Sequence, residues 1–198
     1  LVLSMGAFLG YMNHLKNREL RMLTHQSTPA PALKDSWRKT IGTVRFRGET
    51  AAAPVFYLFV AGEKPVEVPL NTGVMPHQPV GIGFPLEEND EFLVEYPPEN
   101  PRFSRIHFKR PSKRQLQRYR QRVAQRHAAL HAGSSPDEIH CLLEAARQAK
   151  GYEGWADIFF QEAPPALNPH HNRKTFQALL KDRQFRATFQ NCLDSLSH

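Results

Sequence analysis

Apolar positions along this chain keep one period from residue 41 to residue 108 and a different one from residue 113 onward. In Thr40-Ile41-Gly42-Thr43-Val44-Arg45-Phe46-Arg47, Val44 and Phe46 alternate with Arg45 and Arg47, which is the pattern of a strand with one buried face. Residues 54–61 are continuously apolar and suit a central strand. Gly62-Glu63 then predicts a tight turn into Val66, Val68 and Leu70, which alternate with Lys64, Glu67 and Pro69 as in the second arm of a hairpin. Further strands are expected at 80–84, 91–96 and 103–108, separated by Glu88-Asn89-Asp90 and by Pro97-Pro98-Glu99-Asn100-Pro101. Prolines at strand ends remove no ladder donor. Five or six short strands with regular turns predict a small antiparallel sheet or barrel.

From residue 113 the spacing is helical. Leu116, Tyr119, Val123 and Leu130 form a narrow stripe over 113–131, with arginines over most of the remaining circumference. Ser135-Pro136-Asp137-Glu138 reads as a capping box with Pro at the first helical position. It opens a helix carrying Ile139, Leu142, Leu143, Ala146 and Ala149, and Gly151 ends that helix. Residues 154–160, with Trp155, Ile158, Phe159 and Phe160, are expected to dock on the other helices. Asn172 begins a last helical region in which Phe176, Leu179 and Leu180 form one cluster and Phe185, Phe189, Leu193 and Leu196 another. Their offset predicts a kink or two short helices.

Ahead of the strands, residues 1–12 are uncharged and mostly apolar and run into Lys16, Arg18 and Arg21. This run is shorter than the roughly 20 residues needed to cross a bilayer. A signal peptide fits poorly, because the basic residues follow the apolar run and no small-residue cleavage site closes it. Two readings stay open: an amphipathic helix packed on the domain, or the cytoplasmic end of a transmembrane span that begins further upstream. In the second, the positive-inside tendency puts the main domains on the cytoplasmic side of the inner membrane. Ser27-Thr28-Pro29-Ala30-Pro31 reads as a linker. The expected organisation is an apolar juxtamembrane helix over 1–26, a linker over 27–39, a small β domain over 40–111 and a helical extension over 112–198. The fold class is α+β.

Composition changes this picture in two ways. The hydrophobic share of 40% against 23% charged residues is that of a globular chain. The two cysteines, Cys141 and Cys192, are far apart and outside any CxxC spacing, so no disulfide framework or structural zinc is expected and a reducing compartment fits. The net charge of +7 has a local source. Lys109, Arg110, Lys113, Arg114, Arg118, Arg120, Arg122 and Arg126 occur with no Asp or Glu among them, and the other 18 basic residues nearly balance the 19 acidic ones. An acid-free helix has no i,i+4 pairs to offset repulsion between its own cations. These eight residues are therefore the candidate binding site for an anionic surface. The expected partners are lipid headgroups or an acidic protein, with nucleic-acid phosphates as the alternative.

No catalytic signature is present: there is no GxSxG, HExxH, P-loop or GxGxxG after a strand. Gly81-Ile82-Gly83 reads as a bulge or close packing contact. Among the ten histidines, His170-His171 is the densest pair, but a metal needs three or four convergent ligands, and no metal or cofactor is expected. His140-Cys141 reads as a helical pair with the thiol partly buried. The expectation is a non-enzymatic module.

Gly42-Thr43-Val44, the apolar Tyr57-Leu58-Phe59-Val60 and the run from Asp90 through Tyr96 into Pro97-Pro98-Glu99-Asn100-Pro101, with Ser104-Arg105-Ile106, resemble a family of uncharacterised bacterial membrane proteins. In that family one N-terminal span precedes a short β domain that ends in a V-x-Y-x-P-x-N-P element. The resemblance covers residues 1–111 and implies an anchored β domain with no catalytic residues. The Pro-rich element also has a local rationale: its prolines fix φ and remove donors, ending one strand and aiming the next.

Overall fold

The computed structural model describes residues 36–48, 53–70 and 73–196. The expected helix over 1–26 and most of the 27–39 linker lie outside the described residues. Arg38–His198 forms one compact unit, so the strands and the helices share a body. No helix among the described residues is long and apolar enough to cross a membrane.

The architecture is α+β. A five-stranded antiparallel sheet has the order β3-β2-β1-β6-β7, built from β1 (Arg38–Phe46), β2 (Val55–Ala61), β3 (Lys64–Pro69), β6 (Glu91–Tyr96) and β7 (Arg105–Pro111). Between β3 and β6 the chain makes a small separate hairpin of β4 (Pro79–Val80) and β5 (Phe84–Pro85). The expected continuous strand over 80–84 is thus corrected to two short arms around a turn, closed by Gly83 N donating to Val80 O at 2.9 Å. β1 begins at Arg38, inside the expected linker, because its first residues pair with β6, Arg38 opposite Tyr96 and Lys39 opposite Glu95. A 3-10 turn at Pro101–Phe103 delays β7 to Arg105.

Alternation decides the core of the sheet. Val44, Val55, Tyr57, Phe59, Phe92, Val94 and Tyr96 all point to one buried face, together with Leu86 from the loop. Each fully buried side chain of this size stabilises the fold by about 1.5–3 kcal/mol. Register breaks once between β6 and β7: Leu93 faces His107, but its neighbour Phe92 faces Pro111. Phe108, Lys109 and Arg110 therefore bulge from β7 with nothing opposite them, and a bulge re-aims side chains that the ladder would otherwise fix.

The helices are α1 (Lys113–Leu130), α2 (Pro136–Lys150), α3 (Glu153–Phe159), α4 (Arg173–Lys181) and α5 (Arg183–Leu196). The capping box at Ser135 forms in both directions, Glu138 N donating to Ser135 Oγ at 3.1 Å and Ser135 N to Glu138 Oε2 at 2.7 Å. The last region is two helices, because Asp182 leaves helical geometry and its carboxylate accepts from Phe185 N at 2.9 Å, capping α5. Tyr119, Val123, Ile139, Leu142, Leu143, Trp155, Ile158, Leu179 and Phe185 form the helical core, and Ile82 and Phe84 from the small hairpin enter it. Phe84 stacks on Tyr119 with ring centroids 4.2 Å apart and planes 9° from parallel. The hairpin is therefore the joint between sheet and helices. Trp155 satisfies its buried Nε1 by donating to Leu143 O at 2.8 Å.

The cysteines correct the sequence reading. Cys141 on α2 and Cys192 on α5 form a disulfide across 51 residues of chain, with Cα atoms 5.5 Å apart. Helical packing brings together two residues whose spacing carried no signal. Cys141 is fully buried.

Candidate functional site

The eight basic residues do not act as one surface. α1 buries Gln115, Tyr119, Val123 and His127, one residue per turn, which fixes where its arginines emerge. Leu130, expected on the stripe, is exposed. Ser112 caps the helix, accepting from Gln115 N at 3.0 Å, and also donates to Glu91 Oε2 at 2.7 Å. This ties the start of α1 to β6.

The acidic turn before β6 docks along α1 and supplies counter-charges that the helix lacks. Arg114 lies 3.6 Å and Arg118 3.9 Å from Glu91 Oε1. Arg118 also donates to Asn89 O at 2.7 Å and to Gln115 Oε1. Arg122 pairs with Glu87 at 2.6 Å. Arg122 and Arg126 cover the Phe159 ring at 5.3 and 5.0 Å, each cation–π contact contributing about 0.5–1 kcal/mol. Arg120 donates to His140 Nδ1 at 2.6 Å. The repulsion expected of an acid-free helix is thus offset from within the molecule. Beneath these pairs, Gln115 Nε2 donates to the buried Asp90 Oδ1 at 2.7 Å and Glu91 N donates to Gln115 Oε1 at 3.2 Å. Burial pushes the Asp90 carboxyl up, partly opposed by its hydrogen bonds from the Glu87 backbone and Gln115.

Lys109, Arg110 and Lys113 remain. All three are exposed, and their side chains carry no hydrogen bond or ion pair with another described residue. Lys109 and Arg110 stand in the β7 bulge, and Lys113 opens α1.

Beside the bulge is a cavity of ≈ 490 Å³, walled by Pro79, Val80, Gly81 and Gly83 of the small hairpin and by Lys109, Lys150, Glu153, Asn168, His170 and His171. Asp157 lies beneath it with its side chain fully buried. Its Oδ1 accepts from His171 Nδ1 at 2.7 Å and its Oδ2 from Lys150 Nζ at 2.5 Å. Burial alone would raise this carboxyl, but the hydrogen bonds and charges of His171 and Lys150 outweigh it, so the net shift is downward and the group is ionised at neutral pH. An ionised carboxylate accepts, so Nδ1 carries the proton and Nε2 is the free edge of the ring.

The hairpin tip is built for close approach. A Cβ at Gly81 would strike the Phe108 backbone, and one at Gly83 would strike the His171 ring. Both glycines have positive φ, 57° and 98°, a region other residues rarely adopt. Asn168 Nδ2 donates to Gly83 O at 2.8 Å, tying the hairpin to the loop before α4. The close-contact reading of these glycines holds: Gly81 packs on the Phe108 backbone and Gly83 on the His171 ring.

Lys150, Asp157, Asn168 and the placement of His171 were not found from sequence. One signal was present: Asp157 stands within an apolar stretch, Trp155-Ala156-Asp157-Ile158-Phe159-Phe160, where an acid must be buried and so needs partners. Among the described residues, no group of three or more His, Cys, Asp or Glu side chains is placed to hold a metal ion. Comparison of the chain with protein-family models, with curated proteins and with solved structures finds no match.

Proposed function

We propose that this chain is a non-enzymatic, membrane-anchored binding module that meets anionic lipid headgroups with the basic residues around the start of α1. The observation that carries this reading is the triplet Lys109, Arg110 and Lys113, exposed and unpaired among the described residues. Arg114, 77% exposed in its side chain and only 3.6 Å paired, extends the triplet, and Arg120 adds a further exposed cation. Arg118, Arg122 and Arg126 serve chiefly to hold α1 to the acidic turn and to Phe159. The contact surface is thus smaller than the run of eight, and it sits at the strand-to-helix junction.

A basic residue near an anionic leaflet contributes about 1 kcal/mol, so four or five suffice for an auxiliary contact beside an anchor. The apolar run before Lys16, Arg18 and Arg21 supports the anchor. The Cys141–Cys192 bond favours an oxidising compartment over the reducing cytoplasmic face that the basic flank suggested, and we place the module on the oxidising side. Co-sedimentation of the 198-residue chain with vesicles tests the reading. Stronger retention on phosphatidylglycerol-containing vesicles than on neutral ones supports it, and equal retention contradicts it.

A further inference from the structure

We propose that the cavity beside the β7 bulge is a binding site for the phosphate group of a small organic phosphate, held by Lys109, Lys150 and His170, with His171 lining the wall beside them. The inference does not rest on the surface reading above. It rests on which hydrogen-bonding groups the cavity presents. The nearest buried acid, Asp157, offers nothing, because Oδ1 accepts from His171 and Oδ2 from Lys150. What faces the space is therefore mostly donors. Lys109 has no partner among the described residues, and its bulge position frees it from the ladder. Lys150 has two N–H bonds beyond the one given to Asp157. The His170 ring makes no side-chain hydrogen bond with another described residue, its backbone N donating to Asn168 Oδ1 at 3.1 Å.

His171 is held differently from the others. It is 7% exposed, locked through Nδ1 by an ionised carboxylate, and packed against Gly83, where any Cβ would strike Cδ2 and Nε2. The Asp157 carboxylate fixes the orientation of this ring through Nδ1. Glu153 is the one acid among the lining residues, and it is exposed. Donors on β7, on α2 and on the loop before α4 suit a group with several oxygens better than a carboxylate with two. The ≈ 490 Å³ volume exceeds what a phosphate fills and lies in the range of small-ligand sites. Pro79 and Val80 give the remainder an apolar wall for a short carbon skeleton.

The test titrates inorganic phosphate, then glycerol 3-phosphate, into the isotopically labelled 198-residue chain at constant ionic strength, reading the ring resonances of His170 and His171. The expected result is saturable movement of both rings, with affinity reduced about tenfold by Lys109→Ala or His170→Ala, the loss of one charge-assisted hydrogen bond. Lys64→Ala, exposed on β3 and outside both the cavity lining and the basic surface, should leave the affinity unchanged. Both Lys109 and His170 are exposed, so their substitution leaves the core intact. A second arm replaces the soluble ester with vesicles containing phosphatidic acid. Ring shifts with glycerol 3-phosphate assign a free ester, and ring shifts confined to vesicles assign a lipid headgroup. No saturable shift in either arm, or shifts unaltered in both single variants, overturns the proposal.

Discussion

His171 Nδ1 and Asp157 Oδ1 are held 2.7 Å apart beneath the cavity floor, and this bond decides which edge of the histidine faces the open space. Lys150 takes the other carboxylate oxygen from α2, so one buried acid ties together α2, α3 and the loop before α4. A charge placed this deep persists only because both of its oxygens are paired.

Replacing that acid removes the tie. Asp157→Asn should destabilise the fold by about 2–4 kcal/mol, below the usual cost of breaking a fully buried pair because Lys150 is partly exposed. Since the folded carboxyl titrates below the ordinary carboxylate value, the unfolded chain takes up its proton first as pH falls. The contribution is therefore complete above about pH 4 and is lost as pH drops through the lower folded value. Urea midpoints measured across the acid range should fall more steeply for the native chain than for Asp157→Asn.

Gly83→Ala combines a φ of 98° with a collision against the His171 ring. A loss of about 1–3 kcal/mol is expected, with displaced His171 ring resonances. Unchanged resonances would show that the ring does not pack under the hairpin.

The Cys141–Cys192 bond closes 51 residues of chain. Reduction, or Cys141→Ser with Cys192→Ser, should cost about 2–4 kcal/mol, read as a lower urea midpoint in the presence of reductant. An identical midpoint with and without reductant would mean that the helices hold α2 and α5 together unaided.

Glu91 neutralises Arg114 and Arg118. Glu91→Gln should release both, raising retention on anionic vesicles while lowering stability by about 1 kcal/mol. Weaker retention would show that the acidic turn shapes the basic surface instead of masking it.

Much of the fold follows from local pattern. The alternation in β1 and β6, the capping box at Ser135 and the splitting of the last helical region depend on neighbouring residues, and all are found, although β1 starts earlier than its pattern predicts. The functional surfaces depend on distant pairings that no local period records. Glu88-Asn89-Asp90 reads as a separator between strands, yet Glu87, Asn89 and Glu91 meet arginines 23 to 35 residues later in the chain. The cavity draws on a hairpin, a bulge, two helices and a loop, and the bulge is a register event invisible before β6 and β7 pair. The disulfide is missed for the same reason: spacing says nothing about two helices that pack side by side.

Lys109, Arg110 and Lys113, unpaired among the described residues, form the proposed contact with an anionic surface. The most direct measurement compares the 198-residue chain with Arg110→Glu plus Lys113→Glu in co-sedimentation with phosphatidylglycerol-containing and neutral vesicles at physiological salt. Charge reversal should abolish the preference for anionic vesicles and leave binding to neutral ones unchanged. A preference that survives the reversal contradicts the proposed contact.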